Sequence, residues 1–333
     1  MGGAMGGYDY LRLAAAILVI AHHARVLDGR PPMMLGAGAD LGALGVGIFF
    51  VISGYLVAGS LARAPSLAVF VAKRALRIFP GLAVALLFTA FVLGPLVTAI
   101  DLGSYFRDQD PYGYVLRNLS LYAVTYDLPG VFLSAPMAGV VNGSLWTLRL
   151  EFTAYLTLAA LGAARLAAAR PLASLAILAA GAAIGLHVLG FDARGDLFRI
   201  AYLASLNGFL FLAGAWLWAR RLTPPVWLTV LAIPLLATPA WFLALPALVV
   251  RLGALPLPRP PADLSYGLYI YSFPLQQMLA ERGELSLITS LAAALPCGVL
   301  SWFLVEKPAL RLKSRLSPNT PRPVLSPAVA AAD

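Results

Sequence analysis

Two polar residues, Arg12 and His23, lie inside the first long apolar run of the chain, over residues 8–28. They are eleven residues apart, which on an α-helix is about 1100°, or three turns and roughly 20°. Both side chains therefore share one face of the predicted helix, about 16 Å apart along its axis. An arginine there would hold an anion and a histidine would transfer a proton, and ionisable groups inside a membrane usually mark function. The alternative is an arginine that anchors the helix end at the interface and a histidine that only forms hydrogen bonds.

Glu151 is a second charged residue in an apolar run, within the stretch 144–156. The pattern places it about two turns from the outer end of its helix, at a depth similar to that of His23. A buried carboxylate beside an imidazole orients the ring and stabilises its protonated form, so we expect Glu151 to pair with His23. The alternative is a local pair with Arg149, but residues two apart on a helix point in different directions.

A basic cluster follows in the segment 70–80, where three cations, Arg74 and Arg77 among them, lie within five residues. If the segment is helical, these two arginines form one cationic edge that suits phosphate. The alternative is that the charges only set the topology of the chain. In the preceding apolar run, Ser53 provides a small polar notch, which close helix packing through neighbouring glycines would also explain.

The composition decides which class of protein carries these residues. Of 333 residues, 60% are hydrophobic and only 12% are charged, too few charges to cover a water-facing surface. A soluble enzyme and a disordered chain are therefore excluded, and the sequence indicates an all-α polytopic membrane protein in a lipid bilayer. The net charge of +9 need only reflect basic cytoplasmic loops, so no nucleic acid is expected. The three histidines lack the spacing of a metal site, so no metal is expected either.

Apolar runs bounded by charges, proline and glycine predict the membrane spans. They lie near 8–28, 41–61, 78–100, 144–164, 171–190, 198–219, 225–250, 263–281 and 285–305. The run 225–250 is interrupted by prolines and forms either one long span or a tight pair of short ones. The stretch 118–140 is broken by Asp127 and two prolines, and we expect a re-entrant or interfacial segment that protein covers.

Charge counting favours about ten transmembrane helices with the N- and C-termini cytoplasmic. If 225–250 crosses twice and 118–140 does not cross, most of the 24 basic residues, including the cluster 307–315, lie on the cytoplasmic side. We assign the spans to one transmembrane domain over residues 1–316. The tail over 317–333 is rich in proline and alanine and is expected to be disordered.

Six short motifs occur in a fixed order along nearly the whole chain. In the first half they are D-x-x-R-x(10)-H at Asp9, Arg12 and His23, FF-x-x-SG-[FY] at 49–55, and R-x-x-R-I-x-P at 74–80. In the second half they are SLW-[ST]-L-x-x-E-x-x-x-Y at 144–155, [LI]-S-Y-x-[LI]-Y at 264–269, and E-[RK]-P at 306–308. In these motifs the chain resembles the acyltransferase family 3 membrane proteins, which O-acylate sugars and other acceptors in bacterial envelopes. One departure is Ser272, where members of the family commonly have a histidine.

The resemblance implies an acyl-CoA donor, usually acetyl-CoA, and a hydroxyl acceptor on a cell-envelope or secreted glycan, glycolipid or lipid-linked carbohydrate. It also implies a location in the bacterial cytoplasmic (inner) membrane. Arg74 and Arg77 would hold the phosphates of the donor, and Arg12 and Ser53 would line the same channel.

The same resemblance suggests that His23, oriented by Glu151, acts as general base on the acceptor hydroxyl or carries the acyl group itself. Trp146, Tyr155 and Tyr266 are candidate walls of the substrate pocket. The alternative function is a secondary transporter or flippase for a glycoconjugate, which would also use ionisable residues inside the membrane. The two functions differ in one simple respect, since a transporter has no reason to bind CoA.

Overall fold

The computed structural model describes residues 6–316 of the chain. The tail expected to be disordered, 317–333, lies outside the described residues. Within the described range the chain is helical and forms no β-strand, apart from one isolated bridge between Met34 and Asp40. The helices are α1 (Gly7–Val26), α2 (Leu41–Ala62), α3 (Leu67–Val97), α4 (Leu102–Arg107), α5 (Asp110–Leu119), α6 (Trp146–Ala163), α7 (Ala169–Val188), α8 (Asp196–Ala219), α9 (Val226–Ala237), α10 (Trp241–Gly253), α11 (Ser265–Glu281) and α12 (Leu287–Arg315).

Five of the described helices, α2, α3, α7, α8 and α12, are long and apolar enough to cross a membrane by length and composition. α9 and α10 are shorter apolar helices. α1 and α6 have 20 and 18 residues, but charged residues such as Arg12 and Glu151 make them more polar. The all-helical, multi-pass character that the composition predicts is confirmed, and the helices that carry the candidate catalytic residues are among the less apolar ones.

Close contacts through glycine hold α2 against α8. A Cβ atom added at Gly54 would lie 1.9 Å from the backbone oxygen of Phe211, and one added at Gly214 would lie 2.3 Å from the backbone oxygen of Val51. Because no side chain stands between them, the two backbones approach closely, which strengthens van der Waals packing in lipid. The glycine packing considered for α2 from the sequence is therefore present.

The chain between α5 and α6 forms no helix over residues 120–145. Side chains of neighbouring elements bind its backbone carbonyls: Thr98 Oγ1 donates to Pro129 O at 2.7 Å, and Gln277 Nε2 donates to Met137 O at 2.8 Å. These bonds satisfy polar backbone groups that lipid would leave unpaired. The segment expected to be re-entrant or interfacial is thus irregular and held by protein.

The proline-rich run 225–250 folds as two short helices, α9 and α10. The turn between them contacts the loop after α1, where Ala37 N donates to Ala237 O at 2.9 Å. Just beyond the end of α10, Leu257 O accepts from Gly6 N, at the start of α1, at 3.1 Å. α10 therefore runs antiparallel to α1 and returns to the end at which α1 begins. Of the two arrangements considered for this run, the pair of short helices is the one observed.

Candidate active site

A cavity of about 390 Å³ opens between α1, α2, α3, α6, α11 and α12. Its charged lining residues are Arg12, Arg63, Arg74, Arg77, Glu151, Asp263 and Lys313. Hydroxyl groups and aromatic rings form much of the remaining wall, namely Phe49, Phe50, Ser53, Ser60, Thr147, Tyr155, Ser265, Tyr266 and Tyr269. Most of the predicted site residues thus meet in one place, but His23 and Trp146 do not line the cavity.

Arg77 is held by two carboxylates at the charged end of the cavity. Its Nη2 lies 2.7 Å from Asp263 Oδ2, and its Nη1 lies 3.7 Å from Glu306 Oε2. Arg12 Nη1 lies 3.8 Å from the same Asp263 oxygen, and the Arg77 guanidinium lies 5.9 Å from the centre of the Tyr266 ring. The charge of Arg77 is therefore balanced within the protein, and its guanidinium is fixed in place.

Asp263, in the segment before α11, joins α1 to α3 through these ion pairs. Burial acts to raise the pKa of this carboxyl group, but Arg77 and Arg12 outweigh it and hold the pKa well below its ordinary value. Ser265 Oγ also donates to Asp263 Oδ1 at 2.6 Å. Asp263 therefore stays charged at neutral pH. Sequence reasoning missed this residue, although a lone acidic side chain directly before a motif was an available signal.

Arg74 has a different environment, although it lies only one turn from Arg77. Its Nη2 donates to Ser60 Oγ at 3.3 Å, and its guanidinium lies 5.9 Å from the centre of the Tyr155 ring. In the part of the chain that the structure describes, no carboxylate lies within 4.0 Å of the Arg74 guanidinium. Of the two arginines expected to act together, Arg77 is bound to protein carboxylates and Arg74 is not.

Glu151 accepts two hydrogen bonds on the cavity wall. Ser53 Oγ donates to Glu151 Oε1 at 3.1 Å, and the Tyr155 hydroxyl donates to the same oxygen. The Ser53 and Tyr155 hydroxyl oxygens are 3.4 Å apart. Three side chains from α2 and α6 therefore form one hydrogen-bonded group beside the cavity.

The expected pair of Glu151 and His23 is not formed. The His23 ring packs edge-on against Phe273 of α11, with ring centres 4.9 Å apart, and its Nδ1 is buried without a hydrogen-bond partner among the described residues. Thr147, one turn before Glu151 on α6, forms a hydrogen bond with Tyr269, which lies one turn before Phe273 on α11. Glu151 lies one turn from this contact toward the charged end, and Phe273, with His23, lies one turn from it in the opposite direction. Glu151 is therefore two turns, or about 12 Å along the bundle, nearer the charged end than His23. The expectation of equal depth is wrong.

The irregular segment 120–145 explains this difference in depth. The chain that enters α6 lies against α11, where Asn142 Nδ2 donates to Ile270 O at 3.0 Å. Thr147, the second residue of α6, lies at the level of Tyr269, so α6 starts inside the bundle and its carboxylate lies deeper than the apolar pattern indicated. Trp146 is the first residue of the helix and does not line the cavity, whereas the next residue, Thr147, does.

Aromatic rings line the part of the cavity from which α11 leads to His23. Phe49 and Tyr269 both line the cavity and meet edge to face, with ring centres 5.7 Å apart. The Tyr269 hydroxyl lies 2.5 Å from Thr147 Oγ1, which fixes this ring. Phe273 follows one turn later on α11 and contacts the imidazole. Tyr269 therefore lines the cavity one turn before the ring that contacts His23.

Sequence reasoning did not assign several cavity residues to the site. Thr147 and Tyr269 belong to motifs that were noted, so their positions carried a signal. Arg63 and Lys313 resemble ordinary loop charges, and only the fold brings them to the cavity. Ser272, at the position where the resembled family commonly has a histidine, is buried and donates to the Tyr269 backbone oxygen at 3.3 Å.

Comparisons with known proteins point to one family. The family described as "Acyltransferase domain" matches residues 5–258. An "O-acetyl transferase" of Shigella phage Sf6 is 30% identical over 352 residues, covering 94% of this chain and 97% of the phage protein. "Nodulation protein 10" of Rhizobium leguminosarum bv. viciae is 30% identical over 364 residues, covering 94% of this chain and 95% of that protein. No solved structure gives a significant match.

Proposed function

The chain belongs to acyltransferase family 3 and is an O-acyltransferase, and on this premise we propose that it moves an acetyl group from acyl-CoA to a hydroxyl of a cell-envelope or secreted glycan or glycolipid. The cavity is the observation that carries the proposal, because it gathers cations at one end and ends at aromatic rings near His23. A CoA thioester has a matching arrangement, with charged phosphates at one end and an uncharged thioester at the other. Family membership favours this function over the transporter or flippase considered from the sequence.

The donor enters the cavity with its phosphates at the cationic end. Arg74 faces the phosphates, and Arg77, one turn later on α3, is held by Asp263 and Glu306 and fixes this edge of the cavity. Arg12 lines the same wall, where it holds the arm of the donor. Arg12 and His23 are about 16 Å apart along α1, which is of the order of the length of a pantetheine arm. Phosphates at one end of the cavity therefore place the thioester near the imidazole.

His23 is the proposed general base. The acceptor hydroxyl gives its proton to the imidazole while its oxygen attacks the thioester carbonyl, and the C–S bond breaks as the departing CoA sulfur takes up that proton. In the covalent variant the imidazole attacks first, CoA leaves as the thiol, and the acyl group passes from His23 to the acceptor hydroxyl. The buried, unpartnered Nδ1 supports a functional role, since a buried polar atom of a structural histidine normally has a partner.

Two features of the cavity shape this mechanism. The acyl group passes the rings of Phe49 and Tyr269 on its way to the imidazole, because both rings line the cavity and Tyr269 lies one turn before Phe273, which contacts His23. Glu151 acts as a positioning residue through Ser53, whose hydroxyl it holds on the path of the donor arm. Tyr155 and Tyr266 form pocket walls, and the Tyr266 hydroxyl donates to a backbone oxygen of α3 at 2.9 Å.

The proposed topology has ten spans, with the charged end of the cavity facing the cytoplasm. The pairing of α9 with α10 supports it, because their turn and their far end contact opposite ends of α1. The segment Lys307–Arg315 carries four basic residues, which agrees with the excess of lysine and arginine on the cytoplasmic side of membrane proteins. Acyl-CoA then meets the cationic end of the cavity from the side on which it is made.

The test is transfer or hydrolysis of radiolabelled acetyl-CoA by the protein purified in detergent, with His23→Ala beside the wild type. His22→Ala is the matched control, because its ring points about 100° away on α1, with its Nδ1 3.2 Å from Asp40 Oδ1. We expect His22→Ala to keep most of its activity and His23→Ala to lose at least about a hundredfold. Full turnover in His23→Ala would discard the proposed active site, and a wild type that neither turns over nor binds CoA would favour the transporter.

A further inference from the structure

The cations of the cavity divide into two groups by their partners. Arg12 and Arg77 lie within 4.0 Å of carboxylates. Arg63, Arg74 and Lys313 also line the cavity, but no carboxylate of the described residues lies within that distance of any of them. We propose that these three side chains form a phosphate subsite for the nucleotide part of the donor, and that Arg77 is a positioning residue. This inference rests on the proposed function.

The three side chains come from three different helices. Arg63 directly follows the last residue of α2, and its Nη1 lies 3.2 Å from the position that a Cβ atom at Gly59 would take. Arg74 reaches from α3 to Ser60, the next residue on α2. The two guanidinium groups therefore converge on the same turn of α2, at the charged end of the cavity.

Lys313 is contributed by the segment Lys307–Arg315, which ends α12. Leu310, one turn earlier, lines the cavity as well, so this face of the segment closes the charged end. Arg311, on another face, is exposed. The segment lies outside residues 5–258, which the family comparison matches, so that match assigns no role to Lys313.

Phosphate is the ligand class that suits this arrangement. Three like charges repel each other in a partly buried cavity unless an anion enters between them. Guanidinium groups bind phosphate oxygens through paired hydrogen bonds, and a lysine adds a point charge. The Arg77 guanidinium, which two carboxylates hold, contributes little net charge to an incoming anion and instead joins α3 to Asp263 and Glu306.

An anionic phospholipid headgroup presents the same chemistry as the phosphates of CoA. The experiment therefore compares two acetyl donors in phospholipid-free detergent: acetyl-CoA, and S-acetylpantetheine, which has no phosphate. Lys313→Gln is measured beside a matched control, Arg311→Gln, which removes an exposed cation of the same segment. Vesicles of phosphatidylglycerol are added in a separate arm.

We expect Lys313→Gln to raise the KM for acetyl-CoA about tenfold with little change in kcat, because one charge-assisted contact is lost. The KM for S-acetylpantetheine should stay unchanged, and Arg311→Gln should match the wild type with both donors.

Equal effects of the two substitutions would overturn the subsite. An effect of Lys313→Gln on both donors, or inhibition by phosphatidylglycerol that Lys313→Gln abolishes, would overturn the assignment to the donor phosphates. If the wild type itself neither transfers label nor binds CoA, the proposed function fails, and this inference with it.

Discussion

Glu151 shows how one carboxylate can organise the wall of a site. It accepts from Ser53 and Tyr155, and both of these residues are buried, with 5% and 3% of their surface exposed. Without the carboxylate, two buried hydroxyl groups from two helices would lose their acceptor, and each such loss costs about 1–3 kcal/mol. Glu151 therefore links the packing of α2 and α6 to the chemistry of the cavity.

Glu151→Ala and Glu151→Gln separate these two contributions. The alanine variant should lower the free energy of unfolding by about 2 kcal/mol, because Ser53 and Tyr155 are left unsatisfied. The glutamine variant keeps an acceptor oxygen and should unfold near the wild-type temperature, but we expect its kcat to fall at least about tenfold, because a neutral amide holds the Ser53 hydroxyl less firmly than the carboxylate does. Thermal unfolding in detergent and acetyl transfer measure the two effects. An unchanged kcat in Glu151→Gln would show that acetyl transfer does not depend on the negative charge of Glu151.

At the scale of helices, the sequence predicted the features that depend only on the local spacing of residues. The spacing of Arg12 and His23 placed them on one face of α1, and the structure makes both part of one continuous helix. The glycines of α2 likewise predicted close packing, because glycine lets backbones approach wherever the partner lies. These features need no knowledge of the neighbouring elements.

The features that the sequence did not predict depend on how elements are placed relative to one another. The depth of Glu151 was misjudged because the irregular segment 120–145 leads to a start of α6 that lies inside the bundle, beside Tyr269 of α11. Arg74 and Arg77 belong to one motif, yet their different roles follow from Asp263, which lies far away in the chain. Lys313 reaches the cavity only because α12 folds back along α3.

The contact between α2 and α8 gives a prediction at this scale. Gly214→Ala would bring a Cβ atom to 2.3 Å from the Val51 backbone oxygen, so the helices must separate, and we expect a loss of about 2 kcal/mol or more. Gly208→Ala, on the same helix, meets nothing within 4 Å and should be neutral or gain up to about 1 kcal/mol. Thermal unfolding of both variants in detergent checks the prediction. Equal stabilities would show that the helices do not approach this closely.

The two ends of the whole molecule differ, as contacts between residues far apart in the chain show. At one end, the Tyr8 and Tyr55 rings stack at 5.5 Å, and Tyr8 lies one turn before Arg12 of the cavity on α1. At the other end, the loop after α1 contacts the turn between α9 and α10. In the proposed function, the charged donor and the uncharged acceptor hydroxyl approach the site from these two different ends.

Cysteine labelling tests the topology, in a background where the single cysteine is replaced by Cys297→Ala. Thr238→Cys lies in the turn between α9 and α10, and Thr223→Cys lies between α8 and α9. If α9 crosses the membrane and the charged end is cytoplasmic, a membrane-impermeant maleimide should label Thr238→Cys in intact cells and Thr223→Cys only after permeabilisation. Labelling of both from one side would mean that α9 does not cross.

The central claim is that an acyl-CoA lies in this cavity with its acyl end near His23. The most direct measurement is cross-linking with a CoA thioester whose acyl group carries a diazirine, followed by mass spectrometry of the labelled peptides. Our account predicts adducts on α1, α2 or α11 close to His23, Phe49 and Tyr269, and their loss in the presence of excess CoA. Adducts confined to the lateral groove between α6 and α8, at Thr157 or Asn207, or adducts that excess CoA does not displace, would contradict it.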